Sequence, residues 1–215
     1  MLSVGKKFAL LGGQMPRRRR LGAAGLPHHV LNRACRRAII FATDDDYRDF
    51  MRVLDRAKRR TGMRVLAFAI MPNHWHLLLW PENGVQLSRF MQWLTMTQTQ
   101  RWHRRHGSVG TGPLYQGRYK AFPIVSKRRF LVVARYVEQN PLRAGLVEHV
   151  EDWRWSSAWH RCNNCEHGVL EPWPIPVPAD WLSVVNQPQS FIHLRSVREE
   201  IRGARRVGRP PRDAR

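Results

Sequence analysis

Apolar and polar positions along the chain fall into blocks of differing period. "HHVLNRA" (28 to 34) reads as a short strand, and Tyr47, Phe50, Met51, Leu54 and Ala57 then recur at helical spacing. Thr43 opens that helix, and Asp46 three residues on resembles the partner of a capping box, with Asp in place of Glu or Gln. "MRVLAFAIM" (63 to 71) is almost wholly apolar, as expected of a central strand buried on both faces. Pro72 and Asn73 turn the chain into "HWHLLLW" (74 to 80). Leu87, Phe90, Met91, Leu94, Gln98 and Trp102 predict a second helix ending before the glycine-rich "GSVGTG" (107 to 112). "GRYKAFPI" (117 to 124) reads as a fourth strand, and Arg128 to Asn140 as a third helix that Pro141 stops.

Strand, helix, strand, strand, helix, strand, helix is the order of a ferredoxin-like α+β fold. It predicts an antiparallel sheet with helices on one face, plus an added C-terminal helix. The Trp-rich "WRWSSAWH" (153 to 160) is expected at the sheet edge. Residues 1–20 read as a basic tail, 21–165 as the domain and 166–215 as an extension. From about residue 195 that extension looks like a disordered basic tail. Met15, just before "PRRRR", is an alternative start.

Charge narrows the partner. The 215 residues hold 37 Lys and Arg against 16 Asp and Glu, a formal net charge of +21, which calls for a polyanion, nucleic acid first. No apolar run approaches the roughly 20 residues of a spanning helix, and "FALLGG" is too short for a secretory core, so a cytoplasmic protein without membrane partners is expected. Three cysteines make no disulfide framework. His160, Cys162, Cys165 and His167 raise a zinc site, but they crowd one segment with no distant second pair, and reduced surface thiols are the plainer reading.

Side chains two apart on a strand share a face, so His74 and His76 project together while Trp75, Leu77 and Leu79 project the other way. The tryptophan side is core and the histidine side a solvent or ligand face, where two imidazoles can hold one divalent metal. Histidines at this spacing also arise by chance. Tyr136 and Asn140 stand one turn apart in "RYVEQN". Asn140 can offer an amide oxygen to a hard cation and Tyr136 a phenolic nucleophile. The same segment is equally satisfied by Tyr136 as packing and Asn140 as a helix-end residue before proline.

"MPNHWHLLLWP" with "YVEQNPLRAGLV" resembles the HUH single-tyrosine transposases, in particular the REP-associated tyrosine transposases and their insertion-sequence relatives. The likeness extends over about residues 15 to 160, through "HHVLNR", "LYQGRYK" and "EDWRWSS". It implies a ferredoxin-like domain acting on single-stranded or hairpin DNA, with His74 and His76 holding Mg²⁺ or Mn²⁺, Asn140 as third ligand and Tyr136 as nucleophile. The tyrosine would work within its own chain or across a homodimer. The implied reaction is transesterification through a 5′-phosphotyrosyl bond.

Among the other tyrosines, Tyr47 belongs to an apolar helix stripe, whereas Tyr115 and Tyr119 flank "QGR", a place suited to stacking on a base. Gln116, Arg118 and Lys120 beside them, with Arg33, Arg128, Arg129, Arg135 and Arg143, are candidate phosphate contacts. His103 and His106 read as part of a basic helix end, and nothing recommends Glu82 as a ligand. Two other function classes compete: a non-catalytic nucleic-acid-binding module, against which an inward Trp75 counts, and a metal-dependent hydrolase using water.

Overall fold

The computed structural model describes residues 25–163 and 168–203. The four N-terminal arginines, Cys165 and His167 of the zinc candidate, and the last twelve residues lie outside these, and so does the choice of start.

Four strands form one antiparallel sheet: β1 (His28–Arg33), β2 (Arg64–Met71), β3 (His74–Trp80) and β4 (Lys120–Pro123), in spatial order β2-β3-β1-β4. Helices α1 (Asp44–Thr61) and α2 (Gly84–Arg105) connect them in the β-α-β-β-α-β order the sequence predicts. Thr43 and Asp46 do form a capping box, with the Asp46 carboxylate accepting from the Thr43 backbone N–H at 3.1 Å. Gly62 ends α1 in the left-handed region at φ 67°, where a Cβ would be strained.

Each face of the sheet carries its own core. Val30, Phe68, Ile70, Trp75, Leu77 and Leu79 pack with Phe50, Leu54, Phe90 and Leu94 of α1 and α2. On the opposite face Ala67, Ala69 and Leu78 pack with Phe130, Val133 and Val137 of α3 (Lys127–Glu138). The histidine face is therefore not the open face expected from alternation alone, because the added helix lies across it and brings its own apolar stripe.

The sheet order revises one expectation: β2 is an edge strand, not a central one. It is buried because the downstream chain covers its edge. Ile70 N–H donates to Trp155 O (2.9 Å), Trp153 Nε1 to Ile70 O (2.9 Å), Phe68 N–H to Ser157 Oγ (3.1 Å) and Glu171 N–H to Val65 O (2.7 Å). Trp173 Nε1 and Arg161 Nη2 both donate to Leu66 O. An edge otherwise open to pairing is closed by the chain itself, and the Trp-rich segment sits where it was expected.

Pro141 does more than stop α3. After Gln139 a further turn, α4 (Asn140–Arg143), begins with Pro141 in its first turn, where the missing N–H costs nothing. A short helix α5 (Ser157–Cys162) follows, then α6 (Trp181–Asn186) and α7 (Phe191–Gly203). Residues 195–203 are thus helical rather than a disordered tail, since Val197 is fully buried in the second core with Trp173, Trp181 and Val185. Glu138, itself fully buried, anchors this region: it accepts from Ser157 Oγ (2.5 Å), Trp181 Nε1 (2.7 Å) and Arg161.

Candidate active site

The site lies on the histidine face, near the ends of β1 and β3. Antiparallel pairing sets Leu31 opposite His76 and Arg33 opposite His74, so the alternation of both strands delivers His29, Leu31 and Arg33 to the same side as His74 and His76. His74 and His76 have ring centroids 5.1 Å apart. Tyr136, from the last turn of α3, places its ring 5.8 Å from that of His76 and 5.9 Å from that of His29. All of this occurs within one chain.

The four tyrosines now separate. Tyr47 stacks on Trp155 with centroids 4.9 Å apart, and Tyr119 packs against the α1/α2 core. Tyr115 must be corrected as a base-stacking candidate. It is buried on the opposite side of the sheet, where its hydroxyl accepts from Trp75 Nε1 (2.9 Å) and donates to Gln98. Burial pushes both the Tyr47 and Tyr115 hydroxyls well above the ordinary tyrosine range. Tyr136 alone of the four faces the histidines.

Burial governs the imidazoles. It pushes His74 down to about 4, helped by the nearby cations of Arg33 and Arg143, and His29 down to about 3, helped by Arg129. His76 also falls well below its usual value, from burial first and then from His74 and His29. These rings are neutral at neutral pH and keep a lone pair for a metal. Their hydrogen bonds decide which nitrogen offers it: His74 Nδ1 bonds Asn73 Oδ1 at 2.6 Å, and His76 Nδ1 bonds His29 Nε2 at 2.9 Å. Both leave Nε2 for a ligand, the arrangement in which an outer partner orients a ligating histidine.

Asn140 is held differently. Its amide nitrogen donates to Tyr136 O (2.9 Å) and Val137 O (3.3 Å), the second being the α3 carbonyl that Pro141, lacking an N–H, cannot serve. Those partners fix the amide orientation, and Oδ1 is left to accept from Arg143 Nη2 at 2.8 Å. Arg143 also lies over the Tyr136 ring, 4.2 Å from its centroid. Burial lowers its guanidinium to about 10, with Tyr136 opposing that shift and Arg198 adding to it. Among the described residues no three His, Cys, Asp or Glu side chains converge as a metal site. The two imidazoles and the Asn140 oxygen suit a cation that also takes water and phosphate oxygens.

Beside the tyrosine opens a cavity of about 540 Å³ whose walls include Asn32, Arg33, Gln116, Arg118, Lys120 and Tyr136. The "QGR" loop is pinned to β1 by Gln116 N–H donating to Arg33 O (3.0 Å) and Asn32 Nδ2 donating to Gly117 O (3.3 Å). Four of the predicted phosphate contacts, Arg33, Gln116, Arg118 and Lys120, therefore meet at one opening. Arg128 does not line it, standing exposed in the first turn of α3. Arg129 is engaged with Ser196 (2.8 Å) and Glu200 (2.5 Å) of α7, and Arg135 with the backbone oxygens of Gln187 and Pro188. Sequence reasoning passed over His29 as a site residue. Its signal was the spacing His29, Leu31, Arg33 on a strand that pairs with "HWH".

The fold is thus an α+β sandwich in which the central strand β3 presents paired histidines to a helix-borne tyrosine, in a chain of formal net charge +21. The family described as "Transposase IS200 like" matches residues 24–140, more than half of the chain, and the chain belongs to that family of transposases. Among solved structures it is similar to a REP-associated tyrosine transposase bound to a REP hairpin, at 16% identity and a TM-score of 0.54, with 77% of this chain and 96% of that one covered. A looser likeness is to a chain described as a transposase of Deinococcus radiodurans R1, at 20% identity and a TM-score of 0.42, covering 58% of this chain and 96% of that one. No curated protein matches. No helix among the described residues is long and apolar enough to cross a membrane.

Proposed function

We propose that this transposase nicks and rejoins single-stranded DNA through a covalent bond to Tyr136. The observation that carries the reading is the placement of Tyr136, the one tyrosine of four on the histidine face, with its ring 5.8 Å from that of His76. Its phenolic oxygen attacks a backbone phosphorus, a Tyr–O–P bond to the 5′ side forms, and the P–O3′ bond breaks. The phenolic proton passes to solvent, and the departing 3′ oxygen takes one up. One phosphodiester replaces another, so the return reaction needs no nucleotide cofactor.

His74 and His76, with Asn140 as third protein donor, would hold Mg²⁺ or Mn²⁺, which supplies Lewis-acid polarisation of a phosphate oxygen and of the leaving oxygen. For His76 to offer Nε2, its Nδ1–H must donate to His29, so His29 fixes the tautomer. Arg143, lying over the Tyr136 ring, puts a cation beside the attacking oxygen and draws in the phosphate. Neutral ligands and a cationic wall leave the scissile phosphate unrepelled, which a carboxylate cluster would not.

Single-stranded hairpin oligonucleotides incubated with the protein and Mg²⁺ or Mn²⁺ should yield a protein–DNA adduct that survives a denaturing gel and disappears with chelator. Cleaved DNA without an adduct would indicate a water-using hydrolase. Binding without cleavage on any strand would indicate a binding module.

A further inference from the structure

The family match stops at residue 140, yet the wall of the tyrosine cavity does not. Helix α7 lies some fifty residues further on. Leu194, Val197 and Ile201, at helical spacing, turn its apolar side into the core that also holds α3. Arg129 bonds Ser196 and Glu200, while Lys120 Nζ donates to Ile201 O at 2.7 Å, so α7 is tied to both α3 and β4. Glu199 pairs with Arg195 and Glu200 with Arg129, which occupies the acids of the helix. Arg198 and Arg202, one turn apart, are exposed, have no ion pair among the described residues, and line the cavity beside Tyr136.

Six cationic side chains thus converge on that opening: Arg33, Arg37, Arg118, Lys120, Arg198 and Arg202. No carboxylate among the described residues lines it. Arg198 is close enough to disfavour the charge on Arg143. Like charges gathered this way repel unless an anion sits among them. The two α7 arginines are separated by about 6 Å along the helix axis, a spacing able to engage neighbouring phosphates of one strand.

We propose that α7 completes the DNA site, with Arg198 and Arg202 binding the phosphate backbone of the strand next to the linkage that Tyr136 attacks. The substrate surface is then shared between the family domain and the C-terminal extension. This rests on the reading of Tyr136 as the strand-attacking group.

The test is a fluorescence-anisotropy titration of the full chain with labelled single-stranded hairpin oligonucleotides over a salt series, run beside the adduct gel. Each of Arg198→Ala and Arg202→Ala should lower the slope of log affinity against log salt by about 0.7, and the double variant should bind roughly tenfold more weakly near physiological salt. Lysine at both positions should restore most of the slope. Arg195→Ala removes the same charge from the same helix away from the cavity and should change neither quantity. Unchanged melting temperatures would show that the helix stays docked. If the wild type forms the adduct while the double variant binds within twofold of it with an unchanged slope, or if Arg195→Ala weakens binding equally, the role of α7 is refuted. Tighter binding by the double variant would also refute it. A wild-type chain that neither binds single strands nor forms an adduct would overturn the reading of the site along with it.

Discussion

The two faces of the sheet are built from alternate residues of the same strands, yet they do different work. Beneath α1 and α2, Val30, Trp75, Leu77 and Leu79 make an apolar core in which the buried polar chain from Trp75 through Tyr115 to Gln98 is closed on itself. Beneath α3, the neighbouring positions are His29, His74 and His76, with Tyr136 and Arg143 stacked against each other. One face satisfies its polar groups internally and serves as scaffold. The other leaves imidazole nitrogens, a phenol and several cations with capacity to spare, which is the condition for binding something else.

A tyrosine from each face gives the sharpest contrast. Tyr136→Phe should abolish the covalent adduct, a loss of at least three orders of magnitude if the phenol is the nucleophile, while leaving the melting temperature near that of the wild type. Tyr115→Phe should do the opposite: adduct formation persists, and about 1–3 kcal/mol of stability is lost in denaturant unfolding, because Trp75 Nε1 and Gln98 lose their partner. If adduct survives in the first variant or vanishes in a folded second one, the division between the faces is wrong.

Downstream chain packs against both faces, with Trp155 and Val169 on the scaffold side, but on the histidine side it is tied through one buried carboxylate. Glu138→Ala removes the acceptor shared by Ser157, Arg161 and Trp181 and strands a partly buried guanidinium. A cost of about 3–5 kcal/mol is expected, with limited proteolysis cutting first after residue 140. Uniform cleavage across both halves would show that the two cores unfold as one.

Acid should act on the same side. His29, held at about 3, and His74, held at about 4, have folded values below the ordinary 6.5, so the unfolded chain takes up more protons as pH falls through 6.5. Their contribution to stability is complete above that pH and is lost as it falls towards 4. On the scaffold side, the Arg101 hydrogen bond keeps Asp49 below the usual carboxylate value, outside this window. Thermal unfolding at pH 7.5 and pH 5 should therefore show a lower midpoint at pH 5, and equal midpoints would mean the histidines are not buried neutral. The smallest effect belongs to the scaffold: Thr43→Ala breaks the capping box of α1 and should cost about 1 kcal/mol in the same assay without touching adduct formation.

Local rules carried much of this architecture. The capping box at Thr43, the Pro72–Asn73 turn and the period-2 alternation around Trp75 are written in neighbouring residues, and they yield the element order and the separation of the histidines from the core. What eluded them depends on pairing between distant segments. An apolar run such as "RVLAFAIM" reports burial but not position, so β2 looked central when the chain after residue 150 covers its edge. Arg143 and His29 acquire meaning only from contacts with Tyr136 and His76. The apolar stripe of α7, Leu194, Val197 and Ile201, was hidden among arginines whose charge suggested disorder. Helical spacing sets Tyr136 and Asn140 one turn apart, and the resemblance implies their roles. Position on the histidine face now supports Tyr136, whereas Asn140 is tied to the site through Arg143.

In the proposed reaction one tyrosine, on the histidine face, becomes bonded to DNA. The direct measurement is peptide mapping by mass spectrometry of the protein recovered from a Mn²⁺ reaction with a single-stranded hairpin oligonucleotide after nuclease trimming. A nucleotide attached through a 5′ phosphate to Tyr136 and to no other residue is expected. A nucleotide on Tyr47, Tyr115 or Tyr119, or cleaved DNA with every tyrosine unmodified, would contradict it.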